Sequence, residues 1–331
     1  MLLDFLVYLV LRFFLLVIYV LPFRLNVMIA RFMGRLYYVI DRWRRRIIKA
    51  NISIVFGREL DDRGRNILGR ESCEDLFITI LDFLKLHNMA SPGNYRKFME
   101  IKGLSNLMKS IERGKGTIVV TGHFGNVFLV RYLCYLNIPP RAVIIRELDN
   151  PYIERFIRSI FKTHDAIMVR LEGAIQRMHQ LLRENAIMLT LADQKAGGTP
   201  RVGRHGIVVD FFGIPSQTHV TAPLLARRTG ASIVPIFFIR KGPGRYRAEI
   251  HEPLRVTRTA DETGDLKNYT RKLNQIFEQY IRRYPRHWFW LHKRWKDIPG
   301  LEGLYDTSSP LELVENFRRN LSARVHELDD V

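Results

Sequence analysis

The sequence predicts an α/β fold with a mixed, mostly parallel sheet covered by helices. Strand-like and helix-like segments alternate from Thr117 onward, the pattern of a covered sheet. The 331 residues suffice to bury a substantial core. At 47% hydrophobic and 26% charged residues the composition is globular and excludes wholesale disorder.

The elements follow in order. Leu2 to Leu21 (LLDFLVYLVLRFFLLVIYVL) is an apolar run of membrane-spanning length, interrupted by Asp4 and Arg12. It lacks a basic segment before it and a small-residue cleavage site after it, so it does not read as a cleaved signal. Arg24, Arg31, Arg35, Arg42, Arg44, Arg45 and Arg46 follow, which places the downstream body on the cytoplasmic side if the segment inserts. The expectation is a membrane-anchoring helix over residues 1–23 of a protein at the cytoplasmic (inner) membrane. A buried helix or a single-leaflet helix are the alternatives, because two charges are costly in mid-bilayer.

A main α/β domain is expected over residues 24–300. Residues 24–60 read as a helix near the membrane surface, and Asp61–Leu86 as an amphipathic helix. Strands are expected at Thr117–Thr121, Ala142–Arg146, Ala166–Arg170, Ile187–Leu191, Gly206–Phe211, Ser232–Phe238 and Tyr246–His251. Helices are expected at Pro151–Lys162, Leu171–Glu184, Val220–Arg228 and Leu266–Tyr284. A tail over 301–331 opens with Ser309-Pro310-Leu311-Glu312, a capping box with proline at the first helical position. Leu311, Val314, Phe317, Leu321, Val325 and Leu328 then form one apolar stripe, which docks on the core or contacts a membrane or another subunit.

Lys+Arg 52 against Asp+Glu 33 gives a net charge of +19, which suits nucleic acid, an anionic membrane surface or an acidic protein. The basic residues are spread and accompany no nucleic-acid module, so nucleic acid is set aside. Cys73 and Cys134 form neither a paired framework nor a zinc motif and read as buried structural thiols. No G-x-S-x-G elbow and no phosphate-binding glycine motif follows a strand, which disfavours such hydrolases and nucleotide enzymes.

Four segments bear chemistry. Gly122-His123-Phe124-Gly125-Asn126 follows the strand Thr117–Thr121 and carries an imidazole to a sheet edge where ligands bind. Backbone N–H groups at Gly125 and Asn126, where a helix is expected to begin, are candidates to hold an oxyanion. Arg146 precedes Asn150-Pro151 and is a candidate for phosphate or carboxylate binding, with Arg158 a helix further on as a weaker one. Asp193-Gln194-Lys195 crowds an acid, an amide and an amine at the end of Ile187–Leu191. Phe211-Phe212-Gly213-Ile214-Pro215 reads as an acyl-chain wall or a core corner.

Together these segments resemble the bacterial lipid A late acyltransferases, a lauroyl and myristoyl transferase branch of the lysophospholipid acyltransferase-like superfamily. The resemblance rests on the N-terminal hydrophobic helix, Gly122-His123-Phe124-Gly125-Asn126, Arg146 with Asn150-Pro151, Asp193-Gln194, and Phe211-Phe212-Gly213-Ile214-Pro215. It also rests on Ala226-Arg227-Arg228-Thr229-Gly230-Ala231 with Val234-Pro235, and on the Trp-rich close from Pro285 to Lys296. It implies a glycerolipid acyltransferase-like core and an acyl transfer from an acyl carrier protein thioester to a membrane lipid hydroxyl, a lipid A precursor or related glycolipid. No metal or cofactor is implied.

The family's H-x4-[DE] pair maps its histidine onto His123 and its acid onto position 128, which here is Phe128. A phenyl ring accepts no imidazole N–H. Glu147, Asp149 and Asp193 are the candidate stand-ins for the missing acid. A catalytically silent member that binds lipid or acyl carrier protein is the alternative reading.

Overall fold

The structure is a computed structural model and describes residues 2–136, 138, 141–144, 149–162, 166–169, 173–197 and 206–329. Four helices open the chain: α1 (Leu2–Val20), α2 (Phe23–Ile40), α3 (Arg42–Phe56) and α4 (Asp62–Met89). Next come β1 (Met99–Lys102), α5 (Leu104–Glu112), β2 (Thr117–Thr121), a 3-10 segment at Val127–Tyr135, and β3 (Arg141–Ile144). They are followed by α6 (Pro151–Lys162), β4 (Ala166–Val169), α7 (Ala174–Arg183), β5 (Ile187–Leu191), β6 (Gly206–Phe211) and β7 (Ile214–His219). The chain closes with α8 (Thr221–Thr229), β8 (Ser232–Gly242), β9 (Arg245–Ile250), β10 (Leu254–Arg255), α9 (Glu262–Arg283) and α10 (Pro310–Asp329).

Among the described residues the main sheet runs β1-β9-β8-β2-β5-β3-β4, with β10 also on β8. Its pairings are parallel except those of β8 with β9 and β10. The expected mixed, mostly parallel sheet is therefore present. β2 sits mid-sheet with all five residues buried, which is why TIVVT is a continuous apolar and β-branched run rather than an alternating one.

Several elements depart from expectation. β8 runs on to Gly242 because its first eight residues are all buried. β1 is a short edge strand with two charges, and β7 (IPSQTH) is mostly polar, so neither announces itself by pattern. Pro215 lies inside β7, opposite Asp210, in a two-stranded hairpin whose turn is at Phe212-Gly213. Among the described residues that sheet has two strands, and an edge strand tolerates proline's missing donor. The helix expected at Asn126 forms as the 3-10 segment.

Among the described residues no helix is long and apolar enough to cross a membrane. The α1 helix packs on α4 and α6, burying Leu15 and Ile18, while Val10, Phe13, Leu16 and Val20 are exposed. Its C-terminal carbonyls are held by polar side chains. Lys85 Nζ donates to Ile18 O at 3.0 Å and also to Leu21 O, and Asn26 Nδ2 donates to Ile18 O at 2.9 Å. A cation and an amide thus satisfy groups that a helix end leaves bare.

The tail helix α10 docks on α3. Val314 is fully buried, Arg58 grips Glu315 through two hydrogen bonds, and Arg318 donates to Ile54 O and Phe212 O. Cys73 is buried and its thiol is pushed up to about 12, chiefly by that burial, an inert core residue as expected.

Candidate active site

The register of the sheet builds the site. β2 and β5 are parallel neighbours with Thr121 opposite Leu191. His123 and Asp193 each stand two residues past those partners, so the two side chains emerge at one sheet edge although 70 positions separate them. His123 Nδ1 lies 2.9 Å from Asp193 Oδ1. A carboxylate only accepts, so Nδ1 carries a proton, and in the neutral ring Nε2 has the free lone pair. Asp193 Oδ2 accepts the backbone N–H of His123 at 3.0 Å and the Trp288 indole N–H at 2.9 Å. The acid is thus satisfied on both oxygens, with its side chain 1% exposed against 33% for the imidazole.

These contacts set the electrostatics. Burial alone lowers the His123 pKa, but the charge of Asp193 and its hydrogen bond outweigh that and raise it above the ordinary value. Burial likewise raises Asp193, and His123 together with Trp288 more than compensates, holding the carboxyl below its usual range. His292 lies in the same field, yet burial dominates and brings it down to about 4. It is a neutral ring whose Nε2 accepts the Lys195 backbone N–H at 3.3 Å.

The Trp-rich close clamps the turn that carries His123. Phe289 N–H donates to His123 O at 2.9 Å and Gly125 N–H to His287 O at 2.8 Å. Gly125 has φ +56, and a Cβ there would meet Phe238 O at 1.7 Å, so only glycine fits. The clamp is itself anchored: Asn51 Nδ2 donates to Trp290 O at 2.6 Å and His292 O at 2.8 Å.

Beside His123 opens a cavity of about 210 Å³. Leu76 and Ile80 of α4 form one wall, and Val127, Phe128, Phe289 and Leu291 form much of the rest. Phe128 lies against Phe83 with ring centroids 4.2 Å apart. The position expected to carry the acid is therefore an apolar cavity wall.

The other anticipated residues fall as follows. Gly125 lines the cavity, but its N–H is already donated and is not open to an oxyanion. Asn126 is fully buried beneath the turn and does not line the cavity. Asn150 caps α6, accepting from Tyr152 N–H and Ile153 N–H, and donates to Asp4 O of α1. Arg158 pairs with Glu154 on α6. Gln194 is half-buried next to Asp193. Arg146 and Glu147 lie outside the described residues, and Asp149 is exposed.

Phe211, Phe212 and Pro215 do not line the cavity. Phe211 is fully buried, stacked on Trp295 at 5.7 Å and edge-on to Trp288 at 6.0 Å, which makes this corner core. Sequence reasoning did not single out Trp288 individually, nor the α4 wall. Nothing local in α4 points to a site; only the packing does. Among the described residues no group of three or more His, Cys, Asp or Glu side chains is placed to hold a metal.

Residues 1–297 match the model of the bacterial lipid A biosynthesis acyltransferase family. The chain belongs to that family. It is 26% identical over 212 residues to a phosphatidylinositol mannoside acyltransferase of Mycobacterium tuberculosis, covering 61% of this chain and 63% of that protein, just under two thirds of its length. It is 23% identical over 269 residues to a lipid A biosynthesis acyltransferase of Haemophilus influenzae, covering 78% and 80% of the two. A lipid A biosynthesis palmitoleoyltransferase of Escherichia coli is 26% identical over 216 residues, covering 63% and 66%.

Proposed function

We propose that the chain is a membrane-bound acyltransferase that moves a fatty acyl group from a carrier thioester to a lipid hydroxyl, with His123 as general base. The observation that carries this is the Asp193 carboxylate 2.9 Å from His123 Nδ1. An acid held against the imidazole, where position 128 offers none, supports an active enzyme over a silent relative. The acceptor hydroxyl gives its proton to His123 Nε2 as its oxygen attacks the thioester carbonyl carbon. Asp193 stabilises the imidazolium that forms. Collapse of the tetrahedral adduct breaks the C–S bond, His123 returns the proton to the departing sulfur, and an ester and a thiol leave.

The cavity beside His123 suits the acyl chain because aromatic and aliphatic side chains form most of its walls. An acidic acyl carrier protein fits a chain of net charge +19, through steering rather than tight pairing. Membrane attachment draws on the apolar outer faces of α1 and α2, where Val10, Phe13, Val20, Met28, Phe32 and Ile40 are all exposed. Such a face, bordered by the arginines of α2 and α3, fits a helix pair lying in one leaflet at the cytoplasmic (inner) membrane. Lipid A precursor and related glycolipids are the acceptor class the relatives point to.

The test is transfer of radiolabelled acyl groups from acyl carrier protein to lipid A precursor and phosphatidylinositol mannoside acceptors in mixed micelles. Transfer that is lost in His123→Ala supports the reading. Transfer undiminished in His123→Ala overturns the mechanism, and no transfer to any acceptor overturns the activity.

A further inference from the structure

A second recess adjoins the catalytic cavity. It has a volume of about 510 Å³ and lies between α4, β8 and the end of α9. Its walls carry Lys241, Arg283 and Arg286, all exposed, against one acid, Glu71. Neighbouring arginines are committed elsewhere: Arg240 to Asp75, Arg70 to Glu74, Arg282 to Glu59 and Arg247 to Glu100. Among the described residues Lys241, Arg283 and Arg286 form no such ion pair, although Glu100 feels the charge of Lys241 and Asp75 that of Arg286. Arg283 is steadied over the Tyr284 ring at 5.2 Å. Arg286 and His287 line both this recess and the cavity that holds His123, so the two spaces share a wall.

Three exposed cations on one concave surface outnumber the single carboxylate in its walls, Glu71, and leave net positive charge there. Guanidinium forks match phosphate oxygens two at a time. We propose that this recess binds a phosphate group carried by one of the two substrates, with Arg283, Arg286 and Lys241 as its charge partners and the reacting end of the same molecule beside His123. The proposal rests on the acyl-transfer reading for the second half of that statement. Two substrates of that reaction can bear phosphate: a donor through a phosphopantetheine arm, or an acceptor through its lipid headgroup.

The experiment is calorimetric titration of the full chain with phosphopantetheine, with dihexanoyl phosphatidic acid, and with uncharged dihexanoylglycerol. Wild type is compared with Lys241→Gln/Arg283→Gln/Arg286→Gln and with a charge-matched control, Arg228→Gln/Lys267→Gln/Arg271→Gln. The control removes three exposed cations on α8 and α9 away from the recess. Thermal midpoints establish that each variant is folded.

Wild type and control are expected to bind a phosphate-bearing probe at least tenfold more tightly than the recess variant does, with no such difference for dihexanoylglycerol. Loss confined to phosphopantetheine assigns the recess to the donor arm, loss confined to the lipid phosphate assigns it to the acceptor headgroup, and loss of both assigns it to phosphate in general. Equal weakening in the two triple variants, or no phosphate-dependent binding by wild type, overturns the proposal. Binding is read without turnover, so a failure of the acyl-transfer reading appears separately, in the transfer assay.

Discussion

Two histidines line the same cavity, each paired with an aspartate, and the pairs differ in what surrounds the ring. His123 meets Asp193 at 2.9 Å and leaves a third of its side chain exposed. His287 meets Asp75 at 3.2 Å with only 2% of its side chain exposed, edge-on to Phe124 and stacked on Tyr284. Asp193 serves one imidazole and is completed by neutral donors, whereas Asp75 is shared with the Arg240 guanidinium. A dyad that moves protons needs an exposed ring and an undivided carboxylate; the second pair has neither and acts as a strut. The pairs are separable by mutation.

The largest effect is expected from Asp193→Asn. The amide keeps the shape but not the charge that stabilises imidazolium. In serine proteases the corresponding change costs about 10⁴ in turnover, and a loss of that order in kcat is expected here. The pH profile moves as well. His123 has a raised pKa, so with His123 as base the wild-type rate is expected to climb as pH passes a value above the ordinary 6.5 and the ring loses its proton. Without the Asp193 charge that limb shifts to lower pH. A profile of kcat/KM against pH checks both.

Asp75→Asn sharpens the contrast from the other side. It leaves Arg240 buried beside Asp82 and Tyr246 with its main partner gone. Breaking a buried ion pair costs about 3–5 kcal/mol, to be read by denaturant unfolding. Asp75 is held below the usual carboxylate range: burial opposes its charge, but Arg240 and His287 prevail. It therefore contributes stability that is present above the unfolded carboxyl pKa and lost as pH falls below it. The acid limb of the rate is expected to stay in place.

How much of this was readable beforehand follows from the same residues. TIVVT with its Gly-His turn, and IMLTL with its Asp, each announce a strand end bearing a functional group. That the two ends are neighbours does not show, because β5 pairs with β2 after β3 and β4 have intervened in the chain. Equal offsets from Thr121 and Leu191 are the signal that, given the strand order, identifies Asp193 as the partner. Phe211 and Phe212 leave two readings open for the opposite reason: aromatic composition is the same in a core corner and an acyl wall, and only packing against Trp295 separates them.

Position 128 tests whether the acid has truly moved. Phe128→Glu restores the family's residue where Asp193 already occupies Nδ1. No gain in kcat is expected. The carboxylate would displace a ring packed on Phe83 within an apolar wall, at about 1–3 kcal/mol of stability for a poorly satisfied polar group. Phe128→Ala instead enlarges the cavity, and the preferred acyl chain is expected to lengthen in a competition between donors of different length. A several-fold rate increase in Phe128→Glu would show that Asp193 is not the working acid.

The smallest effect is expected at Trp288, which touches the dyad only through Asp193. Its indole N–H is one of two neutral donors on Oδ2 and one of the groups that hold the Asp193 pKa down. Trp288→Phe removes that donor while keeping an aromatic ring against Trp290 and Phe211. The carboxylate becomes a stronger base and binds the imidazolium more tightly, so the acid limb should move up by a fraction of a pH unit while kcat at high pH falls less than tenfold. A merely structural tryptophan would lower stability and leave that limb where it was. Direction decides the matter: Asp193→Asn moves the limb down, Trp288→Phe moves it up, and Asp75→Asn leaves it still only if one carboxylate, not two, governs His123.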